Sequence, residues 1–256
     1  AAELDAIVVA TVTGDHWFPS TACLVQSRIG ATRAFCVDVQ AGCSGFLYAT
    51  QMARGLIASH QAEKVLVIGV EMLSKITDWT DRNTCVLFGD AAGAAVMMPG
   101  DDEHRIVALR LGADGRNSAL IEQPAGGSRI LVSHEVLDRG LHYITMKGNE
   151  VFKLGVRTME EIARETLQAA GLGAGDIDLL ITHQANKRII DATASRLGIS
   201  ADKVFCNIHK YGNTSSASVP LAMDEAIQEG RIRPGDHVLL VVFGAGLTWG
   251  GCLVRW

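Results

Sequence analysis

Asp38-Val39-Gln40-Ala41-Gly42-Cys43-Ser44-Gly45-Phe46-Leu47-Tyr48-Ala49 joins a β-rich run to an amphipathic helix through a turn that carries a cysteine. Upstream, residues 34–39 have the content of a buried strand. Downstream, residues 44–59 place Phe46, Leu47, Met52 and Leu56 along a helix. The same strand–turn–helix order recurs at 204–222, where Gly212-Asn213 falls on Gly42-Cys43. Working outward, residues 5–10 match 178–182, and 63–69 match 235–241. Identity between the copies is weak, but order and spacing agree, so the chain reads as two copies of one α/β unit.

The remaining elements follow from the same periodicities. Residues 7–12, 65–70 and the run around 93–98 read as buried strands. A helix over Thr21–Ile29 has Ser20 as its N-cap and stops at Gly30. Residues of about 100–140 are polar and Gly-rich and read as loops and insertions. The second copy then opens with a strand at 141–147 and a helix at 150–170, with Phe152, Val156, Met159, Ala163, Leu167 and Ala170 on one face. The first copy has no counterpart of that strand and helix, so the 256 residues are expected to be a truncated chain, divided into halves at 1–104 and 105–256.

Composition narrows the class of function. The chain is 48% hydrophobic yet only 5% aromatic, which fits aliphatic strand packing and excludes a disordered chain. No apolar run approaches the roughly 18 residues of a membrane span, and no signal peptide opens the chain, so a cytoplasmic protein without membrane association is expected. A net charge of −5 argues against nucleic acid as a partner. The six cysteines (Cys23, Cys36, Cys43, Cys85, Cys206 and Cys252) show neither C-x-x-C nor zinc-ligand spacing, so no metal is expected. Each is expected to be reduced and buried; Cys36 and Cys206 lie in apolar runs that fit this, and Cys43 does not.

A cysteine at a strand-to-helix turn meets unpaired backbone N–H groups and the positive end of the helix dipole, which should lower its pKa from about 8.5 toward or below 7.5. Gly42 and Gly45 permit a tight turn and close approach of a thioester. Locally, two readings stay open: a nucleophile, or a buried cysteine on a core helix. His183, in Thr182-His183-Gln184-Ala185-Asn186, follows a strand, and Asn213 opens the helix equivalent to that of Cys43. Ligands of α/β sheets collect at the carboxyl ends of strands, and a pseudo-twofold repeat can bring two such ends together.

Five motifs occur in order: the 38–46 segment, Phe88-Gly89-Asp90-Ala91-Ala92-Gly93-Ala94, His183-Gln184-Ala185-Asn186, Gly212-Asn213-Thr214-Ser215-Ser216-Ala217-Ser218, and Phe243-Gly244-Ala245-Gly246-Leu247-Thr248-Trp249-Gly250. Together they resemble β-ketoacyl-acyl-carrier-protein synthase III, a thiolase-fold condensing enzyme, along the whole chain. The resemblance implies a duplicated α-β-α-β-α architecture lacking its first strand and helix, with that strand placed at the middle of the amino-terminal sheet. It implies a decarboxylative Claisen condensation of an acyl-CoA with malonyl-acyl-carrier protein, without a cofactor. Cys43 would carry the acyl group; His183 and Asn213 would stabilise the enolate of the malonyl thioester. The N–H groups of Cys43 and Ala245 would hold the oxyanion of the condensation step. Ala245 stands where the family usually has a glycine.

The same resemblance implies CoA or pantetheine contacts at Arg82, Phe152, Ala185 and Asn186. It implies docking of the acidic carrier protein at Lys187 and Arg188, near Lys210, and an acyl pocket bounded by Leu73, Leu87 and a dimer-contributed Phe18. Without it, these residues read as surface bases, a core Phe, a loop Asn and a hydrophobic loop anchor. Asp90 reads as structural, organising its Gly-rich turn. A homodimer is implied. The alternatives are a related acyltransferase or ketosynthase of secondary metabolism, and an inactive fragment or dimerising module.

Overall fold

The computed structural model describes residues 1–100 and 103–256. Asp101 and Asp102, at the start of the stretch read as irregular, lie outside the described residues.

The first half is built on a strand with no polar side chain. β1 (Ala6–Ala10) is buried at all five positions because it is central and covered on both faces. α1 (Thr21–Ile29) begins where the Ser20 hydroxyl accepts the Cys23 N–H and ends at Gly30, which takes the left-handed conformation at φ 70°. β2 (Phe35–Val39) pairs parallel to β1 and leads through a 3₁₀ turn, Gly42–Ser44, into α2 (Gly45–Ala58). β3 (Val65–Met72) pairs parallel to the other side of β1, and β4 (Asp90–Met97) returns antiparallel to β3. The sheet order is β2-β1-β3-β4.

The second half corrects the reading of residues 100–140. β5 (Arg105–Ala113) is a nine-residue strand inside the stretch expected to be irregular. After it come the short ribbon strand β6 (Ile121–Glu122), the single-turn helix α3 (His134–Asp138) and the ribbon partner β7 (Thr145–Met146). The strand expected at 141–147 is thereby reduced to two residues. Its backbone groups bond to scattered loops instead: the Ile144 N–H donates to the Ile76 carbonyl, and the Lys147 N–H to that of Leu120. The long helix is α4 (Gly148–Ala170), followed by β8 (Leu179–Thr182), α5 (Lys187–Leu197), β9 (Val204–Phe205), α6 (Ile208–Tyr211), α7 (Ser218–Gln228), β10 (His237–Gly244) and β11 (Thr248–Arg255).

These strands form a second sheet, β5-β11-β10-β8-β9. β8 lies parallel between β9 and β10, and β11 is antiparallel to both β10 and β5. From β9 through β11 this repeats the first sheet strand for strand; β5 is the addition. Its place is the sheet edge, which corrects the expectation that the strand without a first-half counterpart is central. The position left open in the first sheet is beside β4.

Five layers result. α2 and α7 lie between the sheets in one core with Val8, Phe46, Leu47, Val67, Ile181, Val219 and Leu240. α1 covers Ile7 and Val9 on one outer face, and α4 with α5 covers Leu180, Leu239 and Leu253 on the other. No helix lies over the outer face of β3 and β4 among the described residues. Alternate residues of β3 record this: Val65, Val67, Gly69 and Glu71 are buried, whereas Leu66, Ile68 and Val70 are half-buried. A cleft of about 1020 Å³ opens between α2, β4 and β11, lined by Phe46, Ile57, Met97, Met223, Val254 and Trp256. It holds none of Cys43, His183 and Asn213.

The cysteines depart from uniform burial. Cys252 is buried, Cys36, Cys43, Cys85 and Cys206 are half-buried, and Cys23 is exposed. Cys36 lies in edge strand β2 and Cys206 directly follows edge strand β9, so one side of each is not covered. No helix of the described residues is long and apolar enough to cross a membrane, and no group of His, Cys, Asp or Glu among them could hold a metal ion.

Candidate active site

Cys43 sits in the 3₁₀ turn that opens α2, and the end of β10 runs directly against it. Two glycines make that approach possible. Gly42 adopts φ 51°, and a Cβ there would lie 2.8 Å from the Ala245 nitrogen; one on Gly244 would lie 2.5 Å from the Cys43 nitrogen. The N–H groups of Cys43 and Ala245 both act on the Cys43 sulfur as hydrogen-bond donors. Backbone donors from opposite halves therefore belong to one cavity. The Ala245 methyl leaves its N–H free to donate.

The thiol itself departs from expectation. Burial pushes its pKa up to about 11, and the charge of Glu71 adds to the rise; hydrogen bonds from Ser215 and the two backbone N–H groups oppose it. Desolvation of a thiolate raises the pKa by more than these hydrogen bonds lower it. The resting site holds a neutral thiol.

Asn213 reaches the same cavity from the second half. The Phe88–Asn213 backbone bridge positions it: the Asn213 N–H donates to the Leu87 carbonyl at 2.8 Å, and the Gly89 N–H donates to the Asn213 carbonyl at 2.9 Å. Its Oδ1 accepts the Ser215 N–H at 2.9 Å, which leaves its NH2 group as the free donor. The cavity, about 160 Å³, is lined by Cys43, Asn213, Ser215 and Ala245 at one end, and by Val12, Leu73, Ile76, Phe88, Ile121, Ile144 and Met146 along its apolar walls.

His183 follows β8 and is 2% exposed. It is not part of that cavity's lining, but its Nδ1 lies 2.7 Å from the Ser218 hydroxyl, five residues beyond Asn213. The Gln184 N–H approaches the same hydroxyl oxygen at 3.5 Å. In the tautomer in which Ser218 donates to Nδ1, the ring proton is on Nε2. Burial holds the imidazole pKa down to about 3, so the ring is a neutral donor.

Leu73 lines the cavity, whereas Leu87 does not; the chain turns so that Phe88 takes that place. Phe18 is 87% exposed on the 12–20 loop and does not reach the cavity of its own chain. Three residues not singled out from sequence matter here: Glu71, Ser215 and Ser218. A lone carboxylate in the apolar run 65–72 was the available signal for Glu71.

Comparison with known proteins decides the family. Residues 37–115 match 3-oxoacyl-[acyl-carrier-protein] synthase III, and residues 167–256 match its C-terminal family. The β-ketoacyl-[acyl-carrier-protein] synthase III of Natranaerobius thermophilus is 52% identical over all of this chain and 78% of its own length. The chain belongs to the 3-oxoacyl-[acyl-carrier-protein] synthase III family. The crystal structure of the Aquifex aeolicus synthase III is similar at 48% identity and a TM-score of 0.90, over 99% of this chain and 78% of that one. The priming β-ketosynthase of the R1128 polyketide pathway is similar at 34% identity and a TM-score of 0.89, over 99% and 75%. The fold is thiolase-like, with part of it absent from this chain.

In this synthase III chain the other family-implied residues have ordinary structural partners. The Asn186 side chain caps α5 by accepting the Arg188 N–H at 2.9 Å. Ala185 and Phe152 are half-buried against the outer core of the second sheet, and the Arg188 guanidinium stacks over the Phe152 ring at 5.2 Å. Lys187 is ion-paired with Asp191, and Lys210 with Glu225 and Glu229. Arg188 remains exposed. Arg82 is exposed on the loop before β4. The Asp90 carboxylate accepts the Ser74 N–H and hydroxyl, which ties down its turn.

Proposed function

We propose that Cys43 is the residue acylated in the condensation of an acyl-CoA with malonyl-acyl-carrier protein, the reaction by which this family initiates fatty-acid synthesis. The observation that carries this reading is the close approach of the Cys43 and Ala245 backbones at one cavity that Asn213 also lines. Attack of the Cys43 sulfur on the acyl-CoA carbonyl forms an acyl-thioester and releases CoA. The malonyl thioester then loses CO2, and the charge gathering on its carbonyl oxygen is met by two neutral donors, His183 Nε2–H and the Asn213 NH2. The carbanion equivalent attacks the acyl-Cys43 carbonyl, whose oxygen turns toward the two backbone N–H groups. The short apolar cavity takes the acyl chain. Arg188 is the docking cation for the acidic carrier protein, because its neighbours Lys187 and Lys210 already have anionic partners.

The functional unit in this reading is a homodimer in the cytoplasm. Edge strand β2 presents Phe35 at 47% exposure, and Trp17 and Phe18 project from the nearby loop. A second copy seated there would receive Phe18 at its own acyl cavity and cover an open strand edge. Arg82, Phe152, Ala185 and Asn186 are the residues assigned to CoA and its pantetheine arm. The uncovered outer face of β3 and β4 supports a second reading, in which this portion of the fold is inactive until another strand–helix unit covers that face.

Intact-mass measurement after incubation with a panel of acyl-CoAs separates these readings. The expected result is one acyl mass on the chain, absent from Cys43→Ala, and a 3-oxoacyl product with CO2 once malonyl-acyl-carrier protein is added. Undiminished acylation of Cys43→Ala overturns the assignment of the nucleophile.

A further inference from the structure

Glu71 is a carboxylate where the fold has no counter-charge for one. It is 1% exposed, on the inward face of β3. Among the described residues no Lys, Arg or His side chain bonds to it. Its partners are all neutral donors, drawn from both halves: the Thr13 hydroxyl at 2.6 Å, the Val12 N–H at 3.1 Å, the Thr11 hydroxyl at 3.4 Å, and the Ser215 and Ser216 hydroxyls at 3.2 Å. The Ser216 hydroxyl has a second acceptor, the Ala10 carbonyl at 2.9 Å. Burial raises the Glu71 pKa, so the site favours the neutral acid more than water does.

Ser215 connects this carboxylate to the nucleophile. It takes φ 49°, a left-handed conformation that strains a non-glycine residue. Its N–H is held by Asn213 Oδ1 and its hydroxyl by Glu71 at 3.2 Å, and Ser215 and Cys43 line the same cavity. The strained backbone thus places one hydroxyl between a thiol and a carboxylate. A fixed negative charge on Glu71 would hinder formation of a thiolate nearby, unless the same proton that leaves sulfur neutralises Glu71.

We propose that Glu71 accepts the Cys43 proton through the Ser215 hydroxyl. The S–H bond breaks and its proton passes to Ser215 Oγ, while the Ser215 proton passes to Glu71 Oε1. The electron pair stays on sulfur, and the site keeps a single negative charge throughout. When the acyl–sulfur bond of acyl-CoA breaks, the proton on Glu71 returns by the same route to the departing CoA thiolate. His183 is not the acceptor, since its buried imidazole already bonds Ser218 through Nδ1 at 2.7 Å and burial makes it a weak base, its pKa held down to about 3. Around Cys43, β3 presents Glu71 and the cavity lining includes Glu122; β10 and the 213–217 turn present only uncharged groups, namely backbone, hydroxyls and the Asn213 carboxamide. This role deepens the acylation reading and rests on it.

The test is the rate of Cys43 alkylation by iodoacetamide from pH 6 to 10, beside single-turnover acylation by acyl-CoA. Glu71→Gln and Ser215→Ala should each slow both reactions about 100-fold at pH 7, the scale of a lost general base. Both variants should regain rate about tenfold per pH unit as solvent deprotonates the thiol, and the double variant should be no slower than either single one. Unchanged or faster alkylation in either variant overturns the relay, because removing a merely opposing charge would accelerate it. If Glu71→Gln does not fold, Ser215→Ala, which removes one oxygen, decides alone. A loss in Ser215→Ala that stays constant across pH shows a packing defect and also overturns the relay. Wild-type protein that is alkylated normally but never acylated refutes the acylation reading instead, and leaves the relay standing on the alkylation profiles.

Discussion

Lowering the pH from 8 to 5 tests the burial of His183. Burial holds its imidazole pKa down to about 3 in the native state, against the ordinary value of 6.5 in the unfolded chain. Between those values the unfolded chain binds a proton that the native protein excludes. The stability contributed by neutral His183 is therefore complete above pH 6.5 and is lost progressively as the pH falls toward 3. At pH 5 the unfolded state gains about RT ln(1 + 10^1.5), or about 2 kcal/mol. Urea unfolding at pH 8, 6.5 and 5 measures this directly when wild type is set against His183→Gln. Glu71 contributes with the opposite sign, since a raised carboxyl pKa favours the native state at low pH, but it is common to both proteins and cancels in the comparison. The variant should show about 2 kcal/mol less loss on acidification. Identical pH dependence in the two proteins would mean that the imidazole takes up its proton in the native state, and the neutral-donor role would fall with it.

Three further outcomes follow from the same geometry. Gly69→Ala should lower the melting temperature sharply, because its Cβ would lie 2.4 Å from the Ser216 carbonyl oxygen, backbone against backbone; a change of only a degree or two would show that the 215–217 turn yields easily. Ser218→Ala should slow malonyl decarboxylation at least tenfold while sparing acylation of Cys43, since it frees His183 Nδ1 to carry the proton; equal loss in both half-reactions would contradict that role. Arg188→Glu should raise the KM for malonyl-acyl-carrier protein about tenfold with kcat little changed, equivalent to about 1.4 kcal/mol; an unaltered KM would move the docking site elsewhere.

The duplicated strand–turn–helix was legible because it is local. Ser20 and Gly30 mark α1 in both sequence and structure, and 38–46 with its counterpart at 212–218 mark the two turns. β5 was not legible. As an edge strand it needs cover on fewer sides, so Arg105, Arg110 and Gly112 are tolerated and the apolar pattern that identifies buried strands is diluted. Residues 141–147 misled for the converse reason. They have strand-like composition, but their hydrogen-bond partners come from loops remote in sequence. The acidity of Cys43 failed similarly. The helix terminus that would lower it is adjacent in the chain, whereas the burial and the Glu71 charge that raise it belong to the folded packing.

The position of the open face bears on what this chain can do. Every close approach that forms the site joins the two halves across their shared inner layer: Gly42 against Ala245, Gly244 against Cys43, Gly69 against Ser216 and Gly89 against the Tyr211 carbonyl. The backbone bridge between Phe88 and Asn213 joins the halves in the same way, and so do the bonds of Ser215 and Ser216 to Glu71. By contrast, the residues left uncovered, such as Leu66, Ile68 and Val96, face outward from β3 and β4 and touch none of these groups. Loss of cover there removes burial of apolar side chains at roughly 25 cal/mol per Å² and leaves β4 with an unpaired edge. It withdraws no donor from Cys43. Burial on the outer face of β3 and β4 and the donor set at Cys43 are therefore separable, and labelling of Cys43 well below the melting temperature reports on the second without being confounded by the first.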